Sequence, residues 1–192
     1  HAWMVSGHQV ASCRISDECA DVLHKSPVLK SLLGYGLKVG DALYVCSEGG
    51  KLLRFRFDNL QPDTIPVPSA YYDHETKMEK LADGNILLFM QGMHLAILSP
   101  KTGKIKEMKV AGMPEYGNFD PAFAKLDSYG MVWLGTKRDG LYLIDMKRKS
   151  MRSAKVLNDT HIEGMVEDRN RQLWVTTMRD AFFVTFKSKV FM

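Results

Sequence analysis

The sequence predicts an all-β fold built from four-stranded antiparallel units, and three observations carry that prediction. A motif recurs along the chain, the runs inside each copy are short and rich in β-branched and aromatic residues, and turn-forming residues separate those runs. No stretch has the helical periodicity of a crossover helix, which a parallel sheet would require.

The repeat is sharpest in the second half. DSYGMVWLGTKRDGLYLID spans residues 127–145 and EDRNRQLWVTTMRDAFFVTF spans 167–186. Superposing Trp133 on Trp174 also brings Asp127 onto Asp168, Thr136 onto Thr177 and Leu141 onto Phe182, a shift of 41 residues without a gap. Fainter copies lie upstream. GNILLFMQGMHLAILSP (84–100) fits with Leu87 in the Trp place, and GDALYVCSEGGKLLRFRFD (40–58) fits with Leu43 there. The opening AWMVSGHQVASCRI fits with Trp3 in the Trp place and Ser6 where Thr136 stands. The anchors Trp3, Leu43, Leu87, Trp133 and Trp174 are thus spaced 40, 44, 46 and 41 residues apart.

Inside a unit, Val132, Leu134 and Thr136 alternate with Met131, Trp133 and Gly135, the period of a strand. A second run follows a turn (LYLID, HLAILS, LLRFRF, AFFVTF), a third is expected at 105–110 and 154–157, and a fourth at 123–126 and 162–166 ahead of the next anchor. Gly40, Gly84 and Gly130 stand three residues before their anchors, where a tight turn favours glycine. Arg171 replaces that glycine in the last copy, which predicts a different turn there. Asp127 and Asp168, just ahead of these turns, are read as caps accepting backbone N–H bonds.

Four antiparallel strands per 40–45 residues is the signature of a β-propeller blade. A blade has two apolar faces that only its neighbours can cover, so Trp133 and Trp174 are expected to pack between blades. The first blade lacks its innermost strand, three complete blades follow, and a fifth runs out near residue 192. Residues 1–192 therefore form a single propeller segment of about four to five blades, incomplete or completed by association. Uncovered end faces of that kind predict self-association, as a dimer or larger.

Composition agrees with a packed core. Hydrophobic residues are 45% and charged residues 25%, which excludes disordered and collagen-like classes. No apolar run reaches the ~18 residues of a transmembrane helix, and no signal peptide is expected. The chain opens within the repeat pattern and without an initiator Met, so it is read as a piece of something longer. Net charge is only +4, from 26 basic and 22 acidic residues, and the one dense basic cluster, Lys147, Arg148, Lys149 and Arg152, is expected to be a solvated loop; no nucleic-acid contact is predicted. Three cysteines, Cys13, Cys19 and Cys46, form no C-x-x-C pair; Cys13 and Cys19 could bridge a short loop or be free thiols. The six histidines have no metal-ligand spacing, and no metal or cofactor is expected.

The best copy reads Asp-x-x-Gly-x-Val-Trp-Leu-Gly-Thr-x-x-x-Gly-Leu-Tyr-x-x-Asp, from Asp127 to Asp145. It resembles the regulator-propeller repeat of periplasmic sensor regions in hybrid two-component systems. The second copy keeps Asp168, Trp174 and Thr177 but replaces both glycines with Arg171 and Asp180, and the copies at Leu43 and Leu87 lack the Trp and the Thr. The resemblance implies an extracytoplasmic detector, part of an inner-membrane protein. It would bind a ligand, often an oligosaccharide, and signal through a cytoplasmic histidine kinase fused to a receiver and a DNA-binding domain. No kinase, nucleotide-loop or receiver motif lies in these residues, so the segment itself is expected not to be an enzyme.

Propeller ligands sit over the axial channel, on the loops between blades and on the inner hairpins. The inter-blade loops offer Tyr71, Tyr72, Asp73 and His74, then Tyr116, Asn118 and Phe119, then Asp159 and His161; the hairpins offer Glu48, Gln91, Arg138, Asp139, Arg179 and Asp180. Aromatic rings stack on sugar faces, and Asn, Asp and Arg bond the hydroxyls. Tyr72, His74, Tyr116, Asn118, Arg138, His161 and Arg179 are the candidate ligand residues, with no catalytic residue among them. Arg138 and Arg179 recur one blade apart and could grip a sulfate or uronate. Two other readings stand beside the sensor. One is a glycan-cleaving propeller using Asp127 and Asp168 as paired carboxylates; the other is a protein-docking scaffold, although the methionines (Met78, Met90, Met131, Met165) fit core filling better.

Overall fold

The structure is a computed structural model, and it describes residues 2–15, 20–29, 32–47, 51–67, 76–90, 94–113, 121–154 and 157–184. Among these residues the strands form five sheets, each a meander in chain order, with no helix. The first sheet holds β1 (Ala2–Val5), β2 (Val10–Ile15) and β3 (Ala20–Lys25). The second holds β4 (Leu32–Val39), β5 (Ala42–Ser47), β6 (Lys51–Arg56) and β7 (Asp63–Ile65). The third holds β8 (Lys77–Lys80), β9 (Ile86–Met90), β10 (His94–Leu98) and β11 (Ile105–Glu107). The fourth holds β12 (Pro121–Leu126), β13 (Met131–Thr136), β14 (Leu141–Asp145) and β15 (Ser150–Ser153). The fifth holds β16 (Ile162–Glu167), β17 (Leu173–Thr177) and β18 (Ala181–Val184). The sheets are the blades the repeat predicts, and β1 begins its blade at the second strand.

The outermost strand of the fourth blade is Ser150–Ser153, not the 154–157 expected from sequence. The Asp145 carboxylate accepts the N–H groups of Lys147 and Arg148 (both 2.9 Å), which closes the β14–β15 turn early and leaves Ala154 in the linker. An outer strand covers little core, so its pattern of Ser, Met, Arg and Ser carries a weak hydrophobic signal.

By internal packing the chain divides into two compact units, His1–Thr76 with Leu98–Ile105, and Lys77–Ile97 with Lys106–Met192. In the first, Trp3, Val5 and Val10 of the first blade meet Leu43, Val45, Leu53 and Phe55 of the second. This corrects one anchor. Leu43 and Val45 face the preceding blade, as do Val132 and Leu134 in the fourth and Leu173 and Val175 in the fifth. The place equivalent to Trp133 is therefore held by buried Tyr44, and Ser47, three residues on, takes the Thr136 role by donating to Lys51 C=O (3.3 Å). The sequence register slipped because β4 and β5 are joined by a shorter turn, with Val39 opposite Ala42. Cys13 is a buried free thiol donating to Met4 Sδ at 3.2 Å, so the free-thiol alternative holds for it; Cys19 lies outside the described residues.

The second unit stacks in the same way. Leu87, Phe89 and Leu95 of the third blade pack on Val132, Leu134 and Ile144 of the fourth. Trp133, Leu141 and Leu143, on the fourth blade's other face, pack on Ile162, Met165, Leu173 and Val175 of the fifth. Gly135 is required at that interface, because a Cβ there would run into the Ile162 side chain. Polar ties accompany the apolar ones. Glu79 accepts the Leu126 N–H (2.8 Å), with its carboxyl pushed up by burial, and Glu167 accepts both the N–H (2.8 Å) and the hydroxyl (2.6 Å) of Ser128. Trp174 departs from expectation: it is 39% exposed where Trp133 is 3%, because no described sheet lies beyond the fifth blade.

Candidate ligand site

The turns entering the second strands are fixed first. Asp127 Oδ1 accepts the N–H groups of Tyr129 and Met131 (both 2.9 Å), and its Oδ2 accepts the Trp133 indole N–H (2.8 Å). Asp168 repeats this on Asn170, Gln172 and Trp174 (2.8, 2.9 and 2.9 Å). These bonds to the ionised form hold the Asp168 carboxyl below the usual range, the Trp174 indole contributing most. Both carboxylates are caps, as expected, and both orient an indole, which the sequence reading did not foresee. With their oxygens spent in this way they make a poor acid–base pair.

Arg171 also overturns an expectation. It adopts φ +60°, the left-handed conformation of Gly40 (+63°), Gly84 (+83°) and Gly130 (+81°), and its N–H donates to Asp168 C=O (3.1 Å) as Gly130 N–H donates to Asp127 C=O (3.1 Å). The turn is unchanged. Its guanidinium lies 5.6 Å from the Tyr129 ring centre, a cation–π contact that offsets part of the left-handed cost.

The opposite ends of the second strands carry the candidate residues. Thr136 donates its hydroxyl to Gly140 C=O (3.0 Å) and accepts the Asp139 N–H (2.8 Å), which folds 137–139 into a tight tip. Thr177 does the same with Asp180 C=O and N–H (both 3.1 Å), and Ser6 with Gln9 C=O (3.2 Å) and N–H (3.0 Å), so Ser6 fills the predicted Thr role. Arg138 and Arg179 sit on equivalent tips, both exposed.

Two linkers are bolted to the tips they pass. Gly140 N–H donates to Thr160 C=O (3.1 Å), and a Cβ on Gly140, at φ +77°, would collide with Leu157 C=O. In the first blade, Leu29 N–H donates to His8 C=O (2.8 Å) and Leu32 N–H to Gly7 C=O (2.7 Å). This bolt brings the 157–161 linker, with half-buried His161, beside the Arg138 tip. Tyr142 was missed by sequence reasoning. It is partly buried, and its phenol is pushed up first by burial and then by the charges of Asp139 and Asp159. Its signal was present in LYLID, where Tyr142 is the one large residue of β14 bearing a polar group. Asp159 is held at φ +55° within the same linker. Tyr72, His74, Tyr116 and Asn118 lie outside the described residues, as do Tyr71, Asp73, Phe119, Glu48 and Gln91.

No family model and no curated protein matches the chain. Solved structures do. The extracellular domain of the hybrid two-component system BT4673 from B. thetaiotaomicron superposes over 94% of this chain with a TM-score of 0.69 at 17% identity. The extracellular domain of the system BT3049 from B. thetaiotaomicron superposes over 95% with a TM-score of 0.63 at 16% identity. In each case the chain spans 25% of the neighbour's length. Virginiamycin B lyase from Staphylococcus aureus matches over 95% of this chain and 65% of its own, with a TM-score of 0.65 at 13% identity. The chain is therefore a segment with the β-propeller fold, a fold it shares both with extracellular domains of hybrid two-component systems and with a lyase.

Proposed function

We propose that this chain is a ligand-detecting segment of an extracytoplasmic propeller in a hybrid two-component system, and that its ligand is an oligosaccharide. One observation supports the reading: the Gly140–Thr160 bolt sets the tip that carries Arg138 and Asp139, followed by Tyr142 on β14, against the linker that carries Asp159 and His161, and we read these residues as one polar crest. A guanidinium, carboxylates and a protonated phenol together match the donors and acceptors of sugar hydroxyls. The fold shared with the BT4673 and BT3049 extracellular domains supports the sensory assignment, and the repeat between Asp127 and Asp145 supports it independently. The mechanism is binding without turnover. A ligand with unequal affinity for two arrangements of paired sensors shifts their balance, and a downstream kinase reads the shift. Calorimetry of the chain against a panel of neutral and acidic oligosaccharides tests this. Arg138→Ala and Tyr142→Phe are each expected to weaken binding about tenfold while leaving the melting temperature within ~1 °C. Cleavage of any panel member by the chain would refute the reading.

A further inference from the structure

A second surface lies on the outer edge of the third and fourth blades, away from the hairpin tips. After β11 the chain runs along β15: Ala111 N–H donates to Lys149 C=O (2.8 Å), Met151 N–H donates to Ala111 C=O (2.8 Å), and Ala111 pairs with Ser150 in a parallel bridge. Gly112 permits this approach at φ +77°, since a Cβ there would strike the Met151 carbonyl oxygen. The bridge sets the stretch that follows Lys106 and Lys109 beside the Lys147–Arg148–Lys149 turn and Arg152, and all six side chains are exposed. The acid within the turn is already engaged: Asp145 Oδ1 holds the Lys147 and Arg148 N–H groups, and Oδ2 lies 3.7 Å from Arg148. Lys106, Lys109, Lys147 and Lys149 have no carboxylate partner among the described residues. Lys149 also sits at φ +50°, where glycine or asparagine would cost less.

We propose that this edge docks a linear anionic polysaccharide, sulfated or uronate-bearing. None of the large exposed apolar side chains among the described residues falls within 101–113 or 146–154, so nothing is available to enter a bilayer, and the edge carries no aromatic ring on which a nucleobase could stack. Attraction to closely spaced carboxylates or sulfates is what remains. The surface is separate from the crest around Arg138, and its test does not depend on that crest.

Fluorescence anisotropy with labelled heparin and labelled polygalacturonate reads the docking directly. Binding at low salt is expected, falling steeply as salt rises, and Lys147→Gln with Lys149→Gln is expected to weaken it about tenfold. Lys149→Gly separates function from fold: the melting temperature should rise by about 2 °C while affinity drops about threefold. The tenfold loss caused by Lys147→Gln with Lys149→Gln should be the same in an Arg138→Ala background, which separates this edge from the crest. The proposal is overturned by no binding to either glycan at low salt, or by a Lys147→Gln/Lys149→Gln chain that binds as tightly as the parent. It is also overturned by equal or tighter binding to phosphatidylglycerol vesicles or single-stranded DNA.

Discussion

The fourth and fifth blades close their first turns with the same carboxylate–indole clasp, yet the two indoles meet different surroundings. In β13 every residue from Val132 to Thr136 is buried, because blades lie against both faces. In β17 burial alternates: Leu173, Val175 and Thr177 are inside, while Trp174 and Thr176 face out. The local hydrogen bonds are therefore independent of whether a neighbour covers the tryptophan. Motif strength reports hairpin geometry, and burial reports position in the stack.

Substituting the two tryptophans breaks this comparison most sharply. Trp133→Ala removes a buried indole from the Ile162 and Met165 interface and should cost about 3–5 kcal/mol in an equilibrium urea titration. Trp174→Ala should cost about 1 kcal/mol, because much of that ring is already hydrated. Equal losses would mean that the fifth blade's outer face is covered in solution.

The carboxylates come next. Asp127→Ala strands two backbone N–H groups and a buried indole N–H, and should cost about 2–4 kcal/mol. Asp168→Asn should show its effect as a pH dependence. A carboxyl held below its unfolded value stabilises the fold above pH ~4 and loses that contribution as pH falls through the folded value. The stability difference between parent and Asp168→Asn should thus be present at pH 7 and shrink towards pH 2 in parallel thermal melts.

The smallest effect concerns the left-handed turn residue. Gly130→Ala should destabilise by about 1 kcal/mol. Arg171→Gly should change stability by less than about 1 kcal/mol, because relief of strain and loss of the Tyr129 contact oppose each other. With Tyr129→Ala already in place, the same Arg171→Gly change should become clearly stabilising by calorimetric melting.

What was legible in the sequence follows from this division. Period, strand type, the left-handed glycines and the Ser6–Thr136–Thr177 equivalence are local, so residue chemistry displays them directly. Arg171 misled because a side chain from the adjacent blade, Tyr129, compensates for the missing glycine, and no single copy of the motif shows that. Leu43 misled because a shortened turn moves the register by one residue, which in a strand exchanges the two faces. Arg138 and His161 could be named from sequence as loop residues, but the bolt joining their loops is made of backbone groups that have no residue signature. Tyr142 went unnoticed because a tyrosine in an apolar strand looks like core until the carboxylates around it are located in space.

The clasp between Asp127 and Trp133 spans only six residues. Closing so small a loop sacrifices little chain entropy, and every partner it needs is supplied by adjacent sequence. The hairpin can therefore set its indole while the following polypeptide is still being synthesised, and the later blade condenses onto a ring that is already aimed.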